Sequence, residues 1–185
     1  LASDGSLVKD EVLQDQIERL LNDAKSSRFI EGFLDSWLVL GKLGTQPPPR
    51  RLARDYYAED LPSSMKKEAH LFFDHLLKTN GPVTDFLEAD YTFVDKKLSK
   101  LYELPEQKTL RLSDGFQKVS LQDNLQRGGL LGMASVLMVS ANGVETSPVT
   151  RGAWLAENIL GTPPPPPPDE VPAIEPDVSG TTTTR

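Results

Sequence analysis

The chain contains no cysteine. That excludes disulfides, thiolate metal sites, a cysteine nucleophile and a c-type haem attached within this piece. It also lacks any apolar run approaching the roughly 18 residues a membrane-spanning helix needs. The longest candidate, 130–139, is short and interrupted by Gly132 and Ser135. Basic residues are outnumbered, 20 Lys and Arg against 27 Asp and Glu. A net charge of −7 speaks against the basic surface that phosphate backbones need, so no nucleic-acid partner is expected. Phosphate-binding, zinc and calcium loop patterns are absent, and only two histidines occur. Neither an initiator methionine nor a signal peptide stands at Leu1, and the last residues are a threonine run and Arg185. Both ends read as cut, so a fragment of a longer protein is expected.

Proline, by contrast, is abundant: 15 residues, six of them consecutive at 163–168. At 185 residues the chain is long enough for one domain with a real core. Leu13, Ile17, Leu20 and Leu21 recur at helical spacing and predict an amphipathic helix over 9–22. Phe29, Ile30, Phe33, Leu34, Trp37 and Leu38 predict a second over 26–40, stopped by glycines and 47–49, a proline triplet. The loop 46–54 carries Arg50, Arg51 and Arg54; it reads as a surface connection or an anion contact. A long helix is predicted over 58–77, burying Met65, Ala69, Phe72, Phe73, Leu76 and Leu77. Asp90 suits an N-cap, and 91–102 continues as a helix burying Tyr91, Val94, Leu98 and Leu101. The stretch 103–124 reads as a loop with at most one small hairpin.

The most distinctive stretch is 127–168. Leucine, methionine and valine nearly surround 127–139, which predicts a buried central helix whose small residues Gly132, Ala134 and Ser135 admit close neighbours, with a buried strand as the alternative. Asn142-Gly143 marks a turn. Thr146-Ser147-Pro148 then starts a helix, with a hydroxyl N-cap and proline in the first turn. Gly161 and Pro163 end it. The proline run must be extended polyproline II, about 19 Å long at 3.1 Å per residue. It serves as a stiff spacer or as a ligand for an aromatic groove. Residues 169–185 read as a polar linker.

Two strings carry a family resemblance: RGGLLGMASVL at 127–137 and TSPVTRGAWLAENILGTPPPPPP at 146–168. Both closely resemble the C-terminal domain of large secreted proteins abundant in planctomycetes and related bacteria. RFIEGFLDSWL at 28–38, FFDHLL at 72–77 and LEADYTFVDKKLSKLY at 87–102 are similar to the domain that precedes it. The resemblance spans 7–178 and carries no assigned catalytic residue. It implies the company of c-type cytochrome modules: no cofactor within this chain, haem c in a neighbouring module, and an exported, periplasmic or cell-surface location.

Candidate chemistry is sparse. His70 and His75 are five apart on a helix, which rules out the i,i+4 or i,i+3 ligand pair; each is either a packed structural histidine or haem-proximal. Met65, Met133 and Met138 sit on apolar faces and read as core. The acids Asp35, Asp74, Asp85, Glu88, Asp90, Asp95 and Glu157 include no evident pair for glycoside chemistry. Arg151, Glu157 and Asn158 form the best polar cluster, either holding the loop before their helix or binding an anion at its N-terminus.

The expectation is therefore an all-α bundle of about six helices with a C-terminal polyproline segment and an extended tail. Residues 1–104 form an N-terminal helical domain, 105–125 a connection, 126–168 a signature domain and 169–185 a linker. The function expected is a non-catalytic scaffold or docking module whose partners are haem-bearing or other domains of the same polypeptide. The alternatives are a polysaccharide hydrolase using acids of the helical unit, or a binding module exposing Trp37, Tyr56 and Tyr57.

Overall fold

The longest amphipathic segment becomes the centre of the molecule. In the computed structural model, helix α4 runs Leu61–Thr79 and buries Leu61, Met65, Ala69, Phe72, Phe73 and Leu76. Their spacings of three and four residues place them on one broad face. Pro62 sits in the first turn, where a missing N–H costs nothing. Asn80 adopts the left-handed conformation and ends the helix, with Gly81 N–H donating to Leu76 O at 2.9 Å. The structure describes residues 1–51, 53–105, 115–121, 127–143 and 146–165.

Around α4 pack α2 (Ser26–Trp37), α3 (Arg54–Ala58), α6 (Lys96–Leu101) and α7 (Ala134–Val139). Ile30 and Leu34 come from α2, Tyr56 from α3, Leu98 from α6, and Ala134 and Val136 from α7. These side chains form one hydrophobic cluster that also takes in Trp154 of α8 (Pro148–Asn158). Helix α1 (Asp10–Leu21) precedes them, and the single turn α5 (Asp85–Glu88) follows α4.

The all-α expectation is wrong. Strands β1 (Tyr91–Val94) and β2 (Gln117–Ser120) form a two-stranded antiparallel sheet in the register Tyr91↔Ser120, Thr92↔Val119, Phe93↔Lys118 and Val94↔Gln117. Tyr-Thr-Phe-Val is a β-branched and aromatic run. Its pairing partner lies more than twenty residues downstream, beyond any local window. The helix expected over 91–102 therefore begins only at Lys96. Its N-cap is Asp95, whose Oδ1 accepts the Leu98 N–H at 2.9 Å. Asp90 instead lies before β1, with its carbonyl accepting from Leu121 N–H.

Three further expectations need correction. The central helix over 127–139 divides into a 3-10 turn, Leu130–Gly132, and α7, separated by Met133 in extended conformation. Ser147 precedes α8 but makes no side-chain cap; its hydroxyl bonds Thr150 Oγ1 at 2.7 Å instead. Helix α1 buries nothing: Leu13, Ile17 and Leu20 are 43, 48 and 56% exposed. The stop of α8 is as expected, with Gly161 left-handed and Thr162 N–H donating to Ala156 O at 2.8 Å. Pro163, Pro164 and Pro165 are exposed coil. The rest of the proline run and the tail 169–185 lie outside the described residues.

Gly129 locks the entry to this C-terminal part. Its φ of 53° and ψ of −166° belong to glycine alone. A Cβ there would lie 2.5 Å from Phe86 O and 2.6 Å from Leu87 C. Gly129→Ala is expected to cost about 2–4 kcal/mol in urea denaturation, combining backbone strain with a clash against rigid backbone. A loss below about 0.5 kcal/mol, the scale of a neutral surface change, would contradict this packing.

Candidate functional site

A carboxylate with no exposure at all sits in the middle of α4. Glu68 is 0% exposed, placed by the same helical face that buries Met65 and Phe72. Its Oε1 accepts the Thr92 hydroxyl of β1 at 2.6 Å, and its Oε2 accepts the Tyr102 hydroxyl at 2.5 Å. Tyr102 Oη in turn accepts the backbone N–H of Ala134, the first residue of α7, at 2.8 Å. The Arg127 guanidinium lies 3.8 Å over the Tyr102 ring and donates to Gly132 O at 2.9 Å. One buried acid thus ties α4, β1, the end of α6 and the start of α7. Burial pushes its carboxyl up from the ordinary 4.5 to about 7, against the two hydroxyl donors and the Arg127 charge, which pull it down. Asp95 adds to the upward push. Ser64 Oγ satisfies that neighbour's Oδ2 at 2.6 Å.

The two histidines diverge, as their spacing requires. His70 faces α2: its Nε2 stands 3.5 Å from Asp35 Oδ1, without the alignment of a hydrogen bond. Asp35 Oδ2 accepts Lys66 Nζ at 2.6 Å. Burial lowers the His70 pKa, with Asp35 opposing. His75 faces the sheet. It lies against Tyr91 and Phe93, with centroids 5.5 and 5.4 Å away, and its Nε2 is 2.8 Å from Lys118 Nζ. Lys118 also sits 3.7 Å over the Tyr91 ring, and the Tyr91 hydroxyl donates to Asp85 at 3.0 Å. Burial first and Lys118 second hold His75 below its ordinary 6.5, so it accepts from the ammonium as the neutral ring.

The cluster of Arg151, Glu157 and Asn158 is not one group. Arg151 reaches back to α7, donating to Ser140 Oγ at 3.3 Å and Leu137 O at 3.4 Å. Asn158 Nδ2 donates to Trp154 O at 2.9 Å, and its own carbonyl accepts Trp37 Nε1–H at 2.8 Å. Glu157 is exposed. Three of the other candidate acids have separate partners: Lys78 for Asp74, Tyr91 for Asp85, Ser64 and the α6 cap for Asp95. No convergent pair of carboxylates emerges from them. Tyr56 is buried and Tyr57 and Trp37 are half-buried, so no row of exposed aromatics of that composition forms. Arg50 packs 4.4 Å over the Tyr57 ring. Among the described residues no group of three His, Cys, Asp or Glu could hold a metal ion, and no helix is long and apolar enough to cross a membrane.

Glu68, Tyr102 and Arg127 escaped the sequence reading. Glu68 lies inside the apolar stripe of α4, one residue before Ala69, and a charged residue on a buried face was the available signal.

These features define a helical protein with a small sheet and a buried acid bridging its N- and C-terminal parts. The chain belongs to the PSD4 family of proteins of unknown function (DUF1592), whose family model matches residues 1–104. A second family model, PSCyt3, protein of unknown function (DUF1588), matches residues 127–185. Neither the curated proteins nor the solved structures gave a match. The bridge described above runs between the two matched segments: Glu68 and Tyr102 belong to the first, Arg127 and Ala134 to the second.

The raised pKa of Glu68 makes stability depend on pH in a fixed direction. The folded state holds this proton more tightly than the unfolded chain does. Its contribution is therefore complete below pH 4.5 and lost as pH rises to about 7. The two histidines act with the opposite sign, so the comparison must be differential. Glu68→Gln should gain on the wild type by on the order of 3 kcal/mol between pH 4.5 and 8 in urea titrations. Parallel pH profiles would refute the assignment. For His75, Lys118→Met should raise the pKa measured by NMR towards 6.5; an unchanged or lower value would remove Lys118 from the account.

Proposed function

We propose that this chain is a non-catalytic scaffold or docking module of a larger exported bacterial protein that carries c-type haem in a neighbouring module. The observation that carries the reading is the chain of hydrogen bonds from Thr92 through Glu68 and Tyr102 to Ala134. It fastens the PSD4 segment to the PSCyt3 segment through groups withdrawn from water, where each bond is costly to break. A module of this kind transmits position rather than chemistry. The separate pairings of Asp74, Asp85 and Asp95 support that emphasis, and so does the C-terminal exit, where α8 is pinned to Trp37 just before the proline run. The name PSCyt3 of the second family supports the cytochrome context. Export and the haem-bearing partner rest on the family resemblance.

The test uses the full-length protein. Tyr102→Phe leaves the Ala134 N–H without its acceptor and removes one donor from Glu68, at an expected cost of about 1–3 kcal/mol. Proteolysis within 105–126 should accelerate, and the orientation-sensitive properties of the haem module should change with it. Redox titration and absorption spectra with and without residues 1–162 give the decisive comparison. If removal leaves haem potential, stability and partner capture unchanged, the scaffold reading fails.

A further inference from the structure

Between α7 and α8 lies an open cavity of about 360 Å³. That is within the range of small-molecule sites, about 300–1,000 Å³. Its walls are mostly apolar, with Val136, Leu137, Trp154 and Leu155 prominent, and Arg151 is the one charged residue among them. Three observations bear on this cavity.

The first concerns Arg151. Its two hydrogen bonds, at 3.3 and 3.4 Å, are longer than the usual 2.9–3.0 Å. Ser140 Oγ and Leu137 O are its only acceptors among the described residues, and no carboxylate pairs with it there. A guanidinium has five N–H donors, and the rest of this fork has no acceptor among the described residues. The second concerns Trp154. It is only 8% exposed, and its Nε1–H finds no acceptor. The indole nitrogen is itself closed off from the cavity, so Trp154 contributes its ring to the wall and serves as a reporter of occupancy. The third concerns Gly152, in the interior of α8, where glycine weakens a helix. Packing does not demand it, since a Cβ there would meet nothing within 4 Å. Gly152 lines the cavity.

We infer that this cavity binds a small organic monocarboxylate with an apolar body, its carboxylate on Arg151 and its body against Leu137, Val136 and Leu155. The planar fork of arginine matches a carboxylate bidentately. An aliphatic or aromatic remainder suits walls with so few polar groups. The net charge of −7 does not steer an anion towards the chain, so affinity rests on this local pair. The apolar walls supply the rest. The assignment goes beyond the scaffold reading and stands independently of it.

The test is an NMR titration of the ¹⁵N-labelled 185-residue chain. Its two tryptophans give two indole signals, which Trp37→Phe assigns. Hexanoate and benzoate are the probes and hexanamide is the neutral control. A carboxylate should shift the Trp154 indole signal saturably and leave that of Trp37 in place. Hexanamide should bind at least about tenfold more weakly, as expected for loss of a charge-assisted pair. Arg151→Met should lose about tenfold or more by the same reasoning. Because Arg151 also braces the end of α7, Gly152→Leu is the second variant. It adds bulk at the cavity wall, leaves Arg151 in place, favours the helix and should abolish the shift. No saturable shift with either carboxylate would overturn the inference. So would equal binding of hexanoate and hexanamide, or binding by either variant within about twofold of the wild type.

Discussion

The structure turns on keeping one carboxylate out of water. Glu68 lies on the buried face of α4 among methionine, alanine and phenylalanine. An acid in that position is tolerable only where hydroxyls replace water, and Thr92 and Tyr102 do so. Each donor constrains the element that brings it. Thr92 fixes β1 against α4, and Tyr102 fixes the end of α6. Tyr102 also accepts from the first N–H of α7, one of the helix-start donors that would otherwise be orphaned. A single buried group therefore sets the relative placement of four elements, which apolar packing alone defines less sharply.

The glycine-rich entry to the C-terminal part works with this node. Gly129 approaches the backbone of Phe86 and Leu87 closely, and its N–H donates to Ala89 O at 3.2 Å. Arg127 spans the same turn, stacked on Tyr102 and bonded to Gly132 O. Farther along, Trp37 holds the end of α8 through Asn158 O. Trp37 belongs to an aromatic ladder with Phe33 and Phe29, spaced 5.4 and 5.9 Å between centroids. The N-terminal end of that ladder is open: Phe29 is 57% exposed and borders the unburied helix α1. The molecule is thus firmly jointed at the α4–α7 node and loosely covered at α1–α2.

Much of the fold could be read from residues close together in the chain. The stripes of α2 and α4, proline in the first turns of α4 and α8, and Gly161 after α8 all act within a few residues of themselves. Their physics is local, so sequence spacing was sufficient. The site was less legible. Arg151 and Asn158, grouped as polar members of α8, serve different partners, Ser140 and Leu137 for one and Trp37 for the other. Glu157, chosen with them, faces solvent. Spacing on a helix says which residues share a face and nothing about what that face meets.

What the sequence alone determined was family membership, the positions of the longer helices and the absence of cysteine-based chemistry. Tertiary structure decided the rest. Tyr91–Val94 is a strand because Gln117–Ser120 comes to pair with it, and a four-residue run has too little helix propensity to resist. The apolar stripe of α1 remains exposed, since whether such a face is covered depends on what the fold brings against it. Glu68 becomes the pivot because the fold encloses it and delivers two hydroxyls from residues 24 and 34 positions away. Desolvation and hydrogen bonding at that point depend on who the neighbours are, and only the folded chain specifies them.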